Sequence, residues 1–174
     1  MPRVALLSEE AGAQFRRSVG SEAGRALAHR PAMAEVIGRF NAVVARSELP
    51  SRLHELVRYR IAQLNGCQRC QTYRMPGSPV SEEDLALVEG WASNDAFEPL
   101  ERLALDFAER FSTDASSVDD ALCDGLKAGL GDDGLVDLAV CVSKYVGTGR
   151  LITVLDLDQA CTLPWTSDEA QPVS

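Results

Sequence analysis

Residues 51–70 read SRLHELVRYRIAQLNGCQRC, and this stretch decides the fold. Leu53, Leu56, Val57, Ile61 and Leu64 recur at helical spacing, which predicts an amphipathic helix from about Ser51 to Leu64 after the break at Leu49-Pro50. Asn65-Gly66 ends it, because both residues tolerate the left-handed backbone with which helices stop. Cys67 then opens a short helix that Pro76-Gly77 terminates, and residues 75–80 read as a loop.

Outward from this centre the helical signals continue. Ser8 to His29 is Ala-rich and amphipathic, weakened by Gly12, Gly20 and Gly24. Pro31 suits the first turn of a helix reaching about Ala45, with Met33, Val36, Ile37, Phe40 and Val44 on one face. Ser81 followed by Glu82, Glu83 and Asp84 is a helix start: a capping hydroxyl, then acids at the positive end of the helix dipole. Pro99 heads another helix, through Leu103, Leu105, Phe107, Ala108 and Phe111. Ser117 or Asp119 caps the next, which Gly131 ends. The last begins near Asp132 or Asp133, with a kink expected at Gly147-Thr148-Gly149. No run alternates β-branched with polar residues as a half-buried strand would. The expectation is an all-α bundle, one domain over 1–174: N-terminal helices over 1–48, the core motif region over 49–160, and a flexible polar tail over 164–174.

Composition narrows the function. With 45% hydrophobic and 25% charged residues the chain has ordinary material for a core. A net charge of −9 repels phosphate backbones, and Arg16-Arg17 and Arg58 with Arg60 are pairs rather than a basic stripe, so no nucleic-acid partner is expected. No apolar run approaches the roughly 20 residues of a membrane span. Met1 to Glu10 lacks the apolar core of a secretory signal, so a cytoplasmic location is expected, with no membrane partner.

The five cysteines, Cys67, Cys70, Cys123, Cys141 and Cys161, are an odd and sparse set that does not suit a structural disulfide framework. Cys123, Cys141 and Cys161 sit in apolar helical surroundings and read as inert. Cys67 and Cys70 differ. Three apart on a helix, their side chains share a face. A helix start and a Cys-x-x-Cys spacing both favour thiolate over thiol. A thiolate that attacks and is resolved by its neighbour is a two-electron redox unit. Two other readings stay open: a zinc site, which lacks a second Cys-x-x-Cys or a paired histidine beside His29 and His54, and two buried inert thiols. Glu55 follows a helix start and faces away from the apolar stripe, where a carboxylate can serve a nearby thiol as proton acceptor.

The run from Glu55 through Gln63-Leu64-Asn65-Gly66 to Cys67-Gln68-Arg69-Cys70 resembles the core motif of the alkylhydroperoxidase D / carboxymuconolactone decarboxylase superfamily: Glu, eleven residues, Cys-x-x-Cys, three residues, His. The resemblance is specific over about Ser51 to Tyr73, and later helices agree in type and order. It implies an all-helical fold assembling as a homo-oligomer, often a trimer or hexamer, and a peroxidase or disulfide-reductase cycle with no metal or organic cofactor. It implies Cys70 as attacking thiol, Cys67 as its disulfide partner, and Glu55 in a proton relay with the histidine. Here that histidine is Arg74, which cannot shuttle a proton but can hold a thiolate or carboxylate by charge. Tyr73 and His54 are the nearest other candidates for proton transfer.

The leading expectation is therefore an enzyme that reduces a small peroxide or a disulfide through Cys67 and Cys70 and is restored by an external dithiol. One alternative is a lyase or isomerase of the decarboxylase branch, its small carboxylic acid held by Arg58, Arg60, Arg69 or Arg74. Another is an oligomer-forming protein with a relic site.

Overall fold

A computed structural model of the chain describes residues 1–13, 21–75, 77–158 and 165–166. In chain order the elements are α1 (Glu9–Ala13), α2 (Glu22–Leu27), α3 (Pro31–Val44), α4 (Ser51–Leu64), α5 (Gln68–Thr72), β1 (Tyr73–Arg74), α6 (Glu82–Leu87), a 3-10 turn (Val88–Ser93), α7 (Pro99–Thr113), a second 3-10 turn (Ala115–Ser117), α8 (Asp120–Val154) and β2 (Trp165–Thr166). The all-α expectation holds.

Helix α4 is the hub, packed by α7, α8 and α5. Its Leu53, Val57 and Ile61 meet Ala104, Phe107 and Ala108 of α7 and Leu126, Leu138 and Val142 of α8 in the main core. Leu56, on a neighbouring face, joins Leu85, Val88, Phe97 and Leu105 in a second cluster under α6 and the turn after it. Leu64, expected in the apolar stripe, is exposed at the rim. Arg52 ties the start of α4 to both neighbours, through Asp84 at 2.8 Å and Glu101 at 2.9 Å.

Local chemistry sets the boundaries. Ser81 and Asp84 form a reciprocal capping box, as do Glu98 and Glu101 ahead of Pro99. Of the two proposed caps for α8, Asp119 serves: its side chain accepts from Leu122 N at 2.9 Å. Gly131 breaks α8 with φ 75°, so the helix end and restart read from the sequence appear as one helix with a break. The kink expected at residues 147–149 is absent. Gly149 is buried and lies so close to α4 that an added Cβ would come within 2.3 Å of Asn65 Nδ2. That glycine serves close approach, not bending.

Three other expectations change. Of the helix predicted over Ser8–His29, the described residues show α1 and α2, the latter starting afresh because Ser21 caps Gly24 N at 3.1 Å; residues 14–20 lie outside the described part. The expected α3 face is divided: Val44 is buried, with Ala34, and Ile37 is half-buried, while Met33, Val36 and Phe40 are exposed together with Val43. In the tail, Trp165 and Thr166 pair in parallel with Tyr73 and Arg74, making a two-stranded sheet, two residues per strand, directly after α5. Residues 164 and 167–174, and Cys161, lie outside the described part. No helix among the described residues is long and apolar enough to cross a membrane.

Candidate active site

Gly66 closes the turn after α4 with φ 61°, a backbone open to glycine, and Cys67 N bonds back to Ala62 O at 3.1 Å. The chain folds back, and α5 packs beside α4. Cys67 is the N-cap of α5 rather than its first helical residue. Its Sγ accepts from Cys70 N at 3.2 Å, the place a serine or aspartate oxygen takes in other caps. Cys67 and Cys70 are joined as a disulfide, with Cα atoms 5.2 Å apart. Cys67 is fully buried, whereas Cys70 is half-buried and the more open of the two.

Glu55 lies outside the main core cluster, yet it is 0% exposed: α5 packs against α4, and Met75 N donates to Glu55 Oε1 at 3.5 Å. A buried carboxylate needs a partner. Arg58, one turn on and itself 3% exposed, provides it: Nε donates to Oε2 at 2.6 Å and Nη2 to Oε1 at 2.8 Å. The same guanidinium reaches into the cysteine segment. Nη1 donates to Cys70 O at 2.6 Å, and Nη2 also donates to Tyr73 O at 2.9 Å. These carbonyls stand near the end of α5, where helical partners run out. Its charged plane lies 5.2 Å from the Tyr73 ring centroid.

The other sequence candidates fall in three places. Arg74, at the position of the expected histidine, turns to Glu82, with Nε–Oε1 2.6 Å and Nη2–Oε2 2.8 Å. It also donates to the carbonyls of Gln71 and Tyr73 and lies over the Tyr59 ring. The Glu82 contact raises its pKa, so it acts as a fixed cation at the rim. Tyr73 contributes its carbonyl and ring to the arginine cluster. His54 is buried and bonded through Nε2 to Tyr145 OH at 2.8 Å. Burial pulls its pKa down to about 4, against an opposing pull from Asp137, so at neutral pH it is an uncharged hydrogen-bonding group. Burial likewise pushes the Tyr145 hydroxyl pKa up.

Sequence reasoning missed Arg58 as the partner of Glu55, although the i, i+3 spacing was visible. It missed Tyr145, 91 residues from His54, and Asp158, which pairs with Arg69 at 2.6 Å between the two cysteines. No local signal announces either. Of the remaining thiols, Cys141 is buried with its pKa pushed up to about 12 by desolvation, in keeping with an inert core residue. Cys123 is only half-buried, less enclosed than expected. Among the described residues, no three His, Cys, Asp or Glu side chains gather as a metal site would need.

Against known proteins, the sequence model of the carboxymuconolactone decarboxylase family matches residues 31–110, which include the whole Glu55–Cys70 segment. The chain is 30% identical to the uncharacterized Escherichia coli protein YnjA over 124 residues, 68% of each chain. Among solved structures it resembles a peroxidase-related protein from Ralstonia eutropha described as an alkylhydroperoxidase AhpD core, with TM-score 0.71, 17% identity, and 89% and 90% of the two chains covered. It also resembles the debrominase Bmp8, with TM-score 0.74, 16% identity, and 88% and 90% covered. At these identities the structural likeness concerns the fold.

Proposed function

The chain belongs to the carboxymuconolactone decarboxylase family, and from that premise we propose that it is a thiol-dependent oxidoreductase that reduces a small peroxide or a disulfide through Cys70 and Cys67. The observation that carries this reading is the Cys67–Cys70 pair at the start of α5, one sulfur sealed and capping, the other partly open. In the peroxidase cycle the Cys70 thiolate attacks the peroxide oxygen, the O–O bond breaks, and an alcohol leaves once protonated. Cys67 then displaces water from the Cys70 sulfenic acid and the disulfide forms. An external dithiol restores both thiols by exchange. The chemistry needs no metal or organic cofactor. Glu55 is the acid–base candidate, held in place by Arg58.

The lyase reading leans on guanidiniums open to a carboxylate substrate. Arg58, Arg60, Arg69 and Arg74 are each already in an ion pair, with Glu55, Glu109, Asp158 and Glu82. This favours the thiol reading.

Peroxide turnover with a dithiol reductant tests it. Cys70→Ser is expected to abolish turnover. Cys67→Ser should leave a Cys70 sulfenic acid that a dimedone-type probe traps. Glu55→Gln is expected to lower turnover by about 100-fold or more, the scale of a lost proton-transfer group. Turnover in Cys70→Ser equal to wild type would overturn the reading.

A further inference from the structure

Arg58 makes four hydrogen bonds from a buried position, and only two go to its counter-ion. The other two anchor the cysteine segment by its backbone. The ion pair thereby turns its positive end to the backbone of Cys70. Carbonyl oxygen and sulfur belong to one residue, so covalent geometry keeps the guanidinium Nη1 within about 7 Å of Cys70 Sγ. At that distance, with the guanidinium itself shut from water, one unit charge is less screened than at the surface. The other charges around Cys70 are committed elsewhere: Arg69 to Asp158 and Arg74 to Glu82. Further titratable neighbours of the Glu55–Arg58 pair are Tyr59 and His54 on α4 itself, Tyr73, and Tyr145 from α8, whose hydroxyl is bonded to His54.

We propose that Arg58 is the positioning residue of the thiol pair: its guanidinium holds Cys70 and Glu55 as one unit and keeps a fixed cation beside Cys70 that favours its thiolate once the disulfide is reduced. The proposal rests on the reading of Cys70 as the attacking thiol. It assigns to an arginine one turn after Glu55 the electrostatic work that a protonated relay group beside the thiols would do. It also gives Arg58 a redox consequence. Opening the Cys67–Cys70 bond takes two electrons and two protons from the external dithiol. A cation that keeps Cys70 ionised reduces the proton demand and makes the disulfide easier to reduce.

The test is the alkylation rate of reduced protein by iodoacetamide against pH, with the Cys70 peptide followed by mass spectrometry. Arg58→Met should raise the apparent pKa of Cys70 by about one unit or more, the scale of a nearby opposite charge. Arg58→Lys, which keeps the charge but not the fork, should recover part of the shift. Glu55→Gln should move the pKa down, because the cation is then unopposed; a carboxylate acting only as base gives no such fall. Arg58→Met with Glu55→Gln leaves no unpaired buried charge, so it is read if Arg58→Met alone does not fold, and it too should titrate above wild type. A Cys70 pKa unchanged in both would overturn the proposal. The titration needs no peroxide. Shifts as expected in a protein that does not turn over peroxide would keep this proposal and overturn the peroxidase reading instead.

Discussion

His54 and Glu55 are adjacent, both buried on α4, and they resolve the cost of burial in opposite ways. Glu55 is paired with Arg58, whereas His54 gives its charge up and bonds Tyr145. The second solution has a pH signature. His54 titrates near 4 in the fold and near 6.5 in the unfolded chain. The unfolded state therefore binds a proton that the native state refuses as pH falls. The stabilisation is complete above about pH 6.5 and is lost progressively down to about pH 4, by on the order of 3 kcal/mol. Denaturant melts at pH 7 and pH 4.5 should show this loss, and His54→Gln should flatten it. An equal loss in the variant would place the titrating group elsewhere. At this scale, residues whose chemistry is local were legible: Glu55, Cys67 and Cys70 fall together by spacing along two consecutive helices. Their charge partners were less so. The expected relay position, Arg74, is turned outward by Glu82, a contact that depends on how the loop over 75–80 folds. The Tyr145 partner of His54 depends on the packing of α8 against α4.

Helix boundaries were well encoded, because caps and breakers act within a few residues. Ser81, Pro99, Asp119 and Gly131 all act where the sequence places them. The failure at Gly147–Gly149 has a physical cause: glycine marks a bend and a close contact in the same letter, and only the neighbouring helix distinguishes them. The two glycines should separate on substitution. Gly147→Ala meets nothing within 4 Å and removes a helix-weakening residue, so it should be neutral or stabilise by up to about 1 kcal/mol. Gly149→Ala drives a methyl to 2.3 Å from Asn65 Nδ2, which is held by a bond to Tyr145 O at 3.1 Å. It should cost about 1–3 kcal/mol. Thermal melts of the two variants, read side by side, check the contrast; equal midpoints would contradict it.

The whole molecule carries an exposed apolar row on α3, namely Met33, Val36, Phe40 and Val43, spaced as one helix face. Periodicity placed Met33, Val36 and Phe40 on one inward face with Ile37 and Val44; Val44 is buried and Ile37 half-buried, but the other three point outward, since an amphipathic pattern names an apolar side without saying what covers it. A homo-oligomer is the expected cover. Light scattering after gel filtration should give a mass well above 18.8 kDa, and Phe40→Glu with Val36→Glu should lower it. A monomer at micromolar concentration in the wild type would refute this. A last consequence follows from α4, where core and chemistry share one helix: Leu56, Val57 and Ile61 hold the protein together while Glu55 and Arg58 reach the cysteines. Laboratory evolution toward new substrates therefore has little room there, because eight of the fourteen residues of that helix are buried. Diversity is better seeded at half-buried Gln71, Thr72 and Tyr73, which border Cys70 without carrying the core.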